Sequence, residues 1–227
     1  MIVAIHQPNY LPWLGYFYKM VKADIFVLLD NVQYEKNGYT NRCQIKTPQG
    51  PFWLTLPIKR KFPQMINEAE IVNYAQEKER HLKIIIQNYQ KAKYFDYLFS
   101  ELKIISEKDW QYLSKLNIEL IKLLKEKLGI KTRIEIASNY DISGKSTDLL
   151  INLCKKFKVD TYLSGRGGQK YQDEGKFKTA GIKLEYADFT HPVYSQLWNN
   201  FTPGLSTIDL LFNYGPESIN FLLGPKS

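Results

Sequence analysis

The sequence predicts an α/β protein built on a mainly parallel sheet with flanking helices, Rossmann-like in rhythm. Three observations carry this. Short continuous apolar runs, "IVAI" at 2–5 and "DIFVLLD" at 24–30, have the character of strands buried on both faces. Between them lie a turn, "HQPNYLPW", and a helix-forming segment, "LGYFYKMVKA". The result is strand, turn, helix and strand in succession, the βαβ unit. The same rhythm returns near the C-terminus. There "RIEIAS" (133–138), "DTYLSG" (160–165) and "IKLEYADF" (182–189) read as strands, separated by the helices "STDLLINLCKKF" and "KFKTAG".

Between these halves two other patterns intervene. "NRCQIK", "TPQG" and "PFWLTLPI" read as a β-hairpin, with Pro48 and Gly50 at favourable turn positions. Alternation places Arg42, Gln44 and Lys46 on one face and Cys43 and Ile45 on the other. From about 76 to 130 the apolar spacing is helical, read as two long segments. Trp110, Leu113, Leu116, Leu120 and Leu124 form one stripe, and Gly129 closes it as a C′ residue. This reads as a helical insertion or subdomain within a single domain spanning 1–227. In the tail, Ser206 or Thr207 caps a short helix carrying Ile208, Leu211 and Phe212.

Composition bounds the function. The chain is 44% hydrophobic and 24% charged, as expected of a globular protein. Its net charge of +8 favours an anionic small-molecule partner. The basic residues are mostly lysines dispersed along helical segments, so specific nucleic-acid binding is not expected, although a basic nucleic-acid binder is a third reading. No run approaches the length of a membrane span, and no basic region precedes the first apolar run. The two cysteines, Cys43 and Cys154, lie far apart and are not expected to pair. A cytoplasmic location is expected.

Two loops leave the carboxyl ends of predicted strands, where α/β sheets bind ligands. In the first, His6 follows the opening strand. Its ordinary pKa suits acid–base work or a hydrogen bond to phosphate. Gln7 and Asn9 can orient a polar substrate, and Tyr10, Trp13 and Tyr16 can wall a pocket. The competing reading is a core histidine in an aromatic corner. In the second, "LSGRGGQKY", Ser164, Gly165, Arg166, Gly167, Gly168, Gln169 and Tyr171 surround a candidate phosphate site. Its glycines are expected to supply positive φ and an anion-binding nest, with Arg166 as the bidentate cation. Asp30 ends the second strand at the same edge, followed by Gln33 and Lys36, while Asn41, Arg42 and Lys46 of the hairpin add polar and cationic groups. "SGKST" is not a complete P-loop, because Asn139 stands where its first glycine belongs. Gly144 and Ser146 are better read as a turn and an N-cap. His81 reads as a packing or surface histidine. Three scattered histidines and two cysteines make no zinc site.

"HQPNYLPWLGYF", "DIFVLLDNVQYEKNGYTNRCQIK", "LSGRGGQKYQDEGKF" and "GLSTIDLLFNYGPES", in this order, resemble the WbqC-like family from residue 1 to about 219. That resemblance implies a place in bacterial surface-polysaccharide (O-antigen) biosynthesis. It implies transfer of an amino acid such as glycine onto a nucleotide-linked amino sugar, with amide formation. ATP with Mg²⁺, a thioester or an aminoacyl-tRNA could activate the donor. The first thirty residues are also similar to the opening of nucleotidyltransferase-type folds. Those carry His-x-Gly-His where this chain has His6, Gln7, Pro8 and Asn9, without the glycine and second histidine. On this reading His6 is a general base or phosphate ligand and Asp30 binds a hydroxyl or Mg²⁺. Residues 165–168 hold a phosphate, and Arg42 and Lys46 neutralise charge. The alternative is a non-catalytic sugar-nucleotide-binding or scaffold protein of the same pathway.

Overall fold

In a computed structural model, which describes residues 1–198 and 200–224, the predicted strands assemble around the first one. These are β1 (Ile2–His6), β2 (Ile25–Leu28), β5 (Arg133–Ile136), β6 (Thr161–Gly165) and β7 (Lys183–Ala187). They form one parallel sheet in the order β5-β2-β1-β6-β7. The chain builds outward from β1 to β5, then crosses back to lay β6 on the other side of β1. The strand order therefore reverses between β1 and β6, and a reversal opens a crevice at the strands' carboxyl ends.

Alternation along these strands feeds two cores. Val3 and Ile5 of β1 join Val27 and Tyr162 in a core with helices α5 (Ser146–Lys156) and α6 (Glu174–Thr179). Ala4 joins Phe26, Leu28 and Leu163 in the larger core on the opposite face. Both faces are covered at the centre of the sheet, so β1 and β2 read as unbroken apolar runs, whereas the edge strands β5 and β7 carry charged residues. The larger core also takes in α1 (Leu14–Val21), α2 (Tyr74–Tyr89), α3 (Phe95–Glu107), α4 (Leu113–Lys127), α7 (Thr207–Tyr214) and α8 (Ser218–Leu223). The helical insertion thus contains three helices, not two. The chain breaks between α2 and α3, where the Tyr94 N–H donates to Phe212 O at 2.9 Å.

The hairpin, β3 (Arg42–Thr47) and β4 (Gly50–Thr55), is a separate antiparallel pair closed by Gly50 at φ +107°. One prediction fails in it. Alternation puts Lys46 outside with Arg42 and Gln44, yet Lys46 is only 2% exposed. The reason is a polar anchor beneath the hairpin. The Tyr89 hydroxyl accepts the Lys46 N–H at 2.8 Å and donates to Asp209 at 2.9 Å. Tyr194 also donates to Asp209, at 2.9 Å, and Lys46 Nζ donates to Gln196 at 3.0 Å. Burial pushes the Asp209 carboxyl up to about 6.

Smaller expectations resolve individually. Ser206 is the N-cap of α7, accepting the Ile208 N–H at 3.4 Å. At α5 the N-cap is Lys145, with Ser146 the first helical residue after Gly144 turns at φ +122°. Both cysteines are buried and unpaired. Among the described residues no helix is long and apolar enough to cross a membrane.

Candidate functional site

At the crevice between β1 and β6 lies a cavity of about 780 Å³, within the range of small-molecule sites. It straddles the sheet edge. His6, Trp13 and Lys19 line it from the β1–α1 side, and Tyr162, Ser164, Leu150 and Gln172 from the β6–α5 side. Gln7 and Asn9 line it too, and Phe189, His191 and Gly204 come from the long connection after β7.

The chemistry of each wall follows from its partners. His6 Nδ1 lies 3.1 Å from the Gln7 carbonyl. A carbonyl only accepts, so Nδ1 carries the hydrogen and Nε2 keeps its lone pair. Burial, and then the charge of Lys19, push the imidazole down to about 3. His6 is therefore neutral at neutral pH, a hydrogen-bond acceptor and a weak base. Lys19 is 4% exposed, and its Nζ donates to Ile5 O at 2.9 Å. Burial lowers its ammonium to about 7. Trp13 packs against Phe189 at 5.6 Å and His191 at 5.5 Å, an aromatic mouth. It can lie there because Gly15 has no side chain: a Cβ would come within 2.9 Å of Trp13 Cε3 and nearer still to other ring atoms.

The glycine loop is built differently from its prediction. Residues Arg166–Lys170 form a 3₁₀ turn, and none of Gly165, Gly167 and Gly168 has positive φ. The expected nest is therefore not formed. These glycines serve by leaving room. A Cβ on Gly168 would approach Gln172 Nε2 to 2.7 Å, while Gly165 and Gly167 face open space. Gln172 in turn donates to the Tyr162 hydroxyl at 3.2 Å. Arg166 is exposed at the rim, paired with Asp188.

Of the predicted residues, the structure brings His6, Gln7, Asn9, Ser164, Gly165, Arg166, Gly167, Gly168 and Tyr171 to one cavity. The others lie outside its walls, each for a visible reason. Tyr10 is buried and bonds His81 Nδ1 at 2.9 Å, so His81 is a core histidine. Asn41 donates to Leu56 O, and Gln33 to Tyr34 O. Arg42 stacks over Trp53 at 4.2 Å and bonds Asn37 O. Lys46 is drawn under the hairpin. Lys36 and Gln169 are exposed and do not line the cavity.

Asp30 is the largest displacement from expectation. Its carboxylate accepts the Ser138 N–H at 2.9 Å and the Ser138 hydroxyl at 2.7 Å. It ties the ends of β2 and β5 together. Both oxygens are engaged, and among the described residues no three His, Cys, Asp or Glu side chains converge as a metal site. This donor set does not suit Mg²⁺.

Sequence reasoning overlooked Lys19, Tyr162, Gln172 and Phe189. Lys19 left a faint signal: it stands three residues after Tyr16 and beside Met20, on the buried face of an apolar helix. Among the side chains lining the cavity no carboxylate occurs, and its basic side chains besides histidine are Lys19 and Arg166.

Fold and cavity together define a doubly wound α/β protein with a crevice where its strand order reverses. A model of the WbqC-like protein family matches residues 7–221, and the chain belongs to that family. An uncharacterised protein of Mycobacterium tuberculosis, Rv1507c, is 36% identical over 224 residues, covering 97% of this chain and 96% of the relative.

Proposed function

We propose that the protein transfers an amino acid, such as glycine, onto the amine of a nucleotide-linked amino sugar in bacterial surface-polysaccharide assembly. One observation carries the reading: an aromatic-mouthed cavity at the strand-order reversal, whose charged lining is cationic only. Its volume suits a sugar nucleotide. Phosphates meet Lys19 or Arg166, and Trp13, Phe189 and Tyr171 offer flat faces to a base or sugar ring.

The chemistry needs an activated aminoacyl donor, such as a thioester. The sugar amine attacks the acyl carbon, and the C–N bond forms as the bond to the leaving group breaks. Nε2 of the neutral His6 accepts a hydrogen bond from the attacking amine, and the amine proton ends on the departing group. The test is incubation with a uridine-diphosphate amino sugar and a glycyl thioester, read by mass spectrometry. A product heavier by one glycyl residue supports the reading, and unchanged sugar nucleotide with every class of activated donor overturns it.

A second reading draws on the weak basicity of His6. On it the protein binds the sugar nucleotide without turning it over. Saturable binding with no product, weakened only modestly by His6→Ala, would favour that alternative.

A further inference from the structure

Lys19 is a buried amine with an incomplete set of partners. Its Nζ has three hydrogens to donate, and one goes to Ile5 O. Among the described residues no carboxylate lies within ion-pair distance of it. The Phe26 ring stands 5.8 Å from Nζ, and Lys19 is one of the residues that line the cavity. An unpaired ammonium in such a place is costly, and an anion entering the cavity would remove that cost.

We infer that Lys19 marks the inner end of the cavity as an oxyanion subsite, taking a phosphate or carboxylate group, and that the anion enters together with a proton. The inference rests on reading this cavity as the substrate site and says which end of it receives the charge. The titratable and charged groups lining the same space are His6, Tyr39, Tyr162, Arg166, Tyr171 and His191, none of them a carboxylate. Helix α8, packed against α1, brings no titratable side chain. On α1 itself the other such groups are Tyr16, Tyr18 and, just beyond it, Lys22. Without ligand, burial holds the Lys19 ammonium near 7, so much of it is neutral above that pH. A bound oxyanion restores the charged form.

The test is calorimetric titration with uridine diphosphate and, separately, with acetate, at pH 7.5 in buffers of differing ionisation enthalpy. For a group titrating near 7, complete reprotonation takes up about three-quarters of a proton per ligand bound. Uptake with uridine diphosphate assigns the subsite to phosphate, and uptake with acetate alone assigns it to a carboxylate. Lys19→Met is expected to abolish uptake and weaken binding at least tenfold. Lys19→Arg, always charged, is expected to bind without uptake. Uridine diphosphate bound with no proton uptake, and none with acetate either, overturns this inference but leaves the cavity as the substrate site. No binding of either probe at millimolar concentration overturns both. Should the variants not fold, direct NMR titration of Lys19 decides. A side chain ionising near its ordinary value contradicts the inference, and one ionising near 7 that moves upward with ligand supports it.

Discussion

The Nζ of Lys19 donates to the carbonyl oxygen of Ile5 at 2.9 Å, joining helix α1 to the strand that carries His6. The amine is held at the cavity wall by a neutral acceptor, and its ionisation is set by burial alone. Stability should report this directly. The unfolded chain holds the Lys19 proton up to its ordinary value, while the folded protein releases it near 7. Between those values the unfolded state binds more protons, so this contribution to stability rises with pH. Lys19→Met should therefore be more stable than wild type by about 1–3 kcal/mol near pH 6. The gap should narrow toward pH 10, as followed by urea unfolding at several pH values.

His6 and His81 act in the acid range with the same sign. Burial holds them near 3 and 4, below the ordinary histidine value. As pH falls from 6.5 the unfolded chain takes up protons that the folded protein refuses, and stability is lost. Asp209 opposes this trend, since its carboxyl is held up at about 6. Between its unfolded value and 6 the folded state holds the extra proton, so stability rises as pH falls through that window. His81→Gln is expected to flatten the loss of stability between pH 6.5 and 4, measured by denaturant midpoints.

The anchor under the hairpin should be sensitive to one oxygen. Tyr89 is fully buried, and its hydroxyl serves Lys46 N–H and Asp209 at once. Tyr89→Phe keeps the ring and leaves both buried partners short of a bond. A loss of about 1–3 kcal/mol is expected, read from thermal unfolding, with ligand affinity changed little because the anchor lies outside the cavity.

The glycine loop separates two roles. Gly168→Ala would drive a methyl group into Ser164 and Gln172 and should cost about 1–3 kcal/mol. Gly165→Ala meets no protein atom within 4 Å. It should alter stability by less than about 0.5 kcal/mol, while it weakens uridine diphosphate binding by narrowing the mouth. Equal stability losses at the two positions would contradict this division.

The centre of the sheet was legible from its apolar runs, because β1 and β2, buried between neighbours, leave no alternation to misread. The two loops at its carboxyl edge were legible for the same reason: each follows a recognised strand. The remainder of the candidate site was not. Asp30 follows β2, yet β2 lies one strand away from the reversal between β1 and β6, and the Asp30 carboxylate meets Ser138 instead. Lys46 obeyed alternation on paper, but Tyr89 and Asp209, far away in sequence, bury it. Lys19 looked like a solvated helix lysine because only the packed helix shows which face carries it. Phe189 and His191 belong to a connection whose path no local pattern encodes. Long-range packing decided each of these.

The central claim is that the substrate's anionic end lies between the carboxyl ends of β1 and β6. A crystal structure of the protein with a uridine-diphosphate amino sugar tests it most directly. The account predicts phosphate oxygens within hydrogen-bond distance of Lys19 Nζ, with an aromatic ring of Trp13, Phe189 or Tyr171 against the base or sugar. A ligand held instead on the hairpin, beside Arg42, with the cavity holding only water, would contradict it.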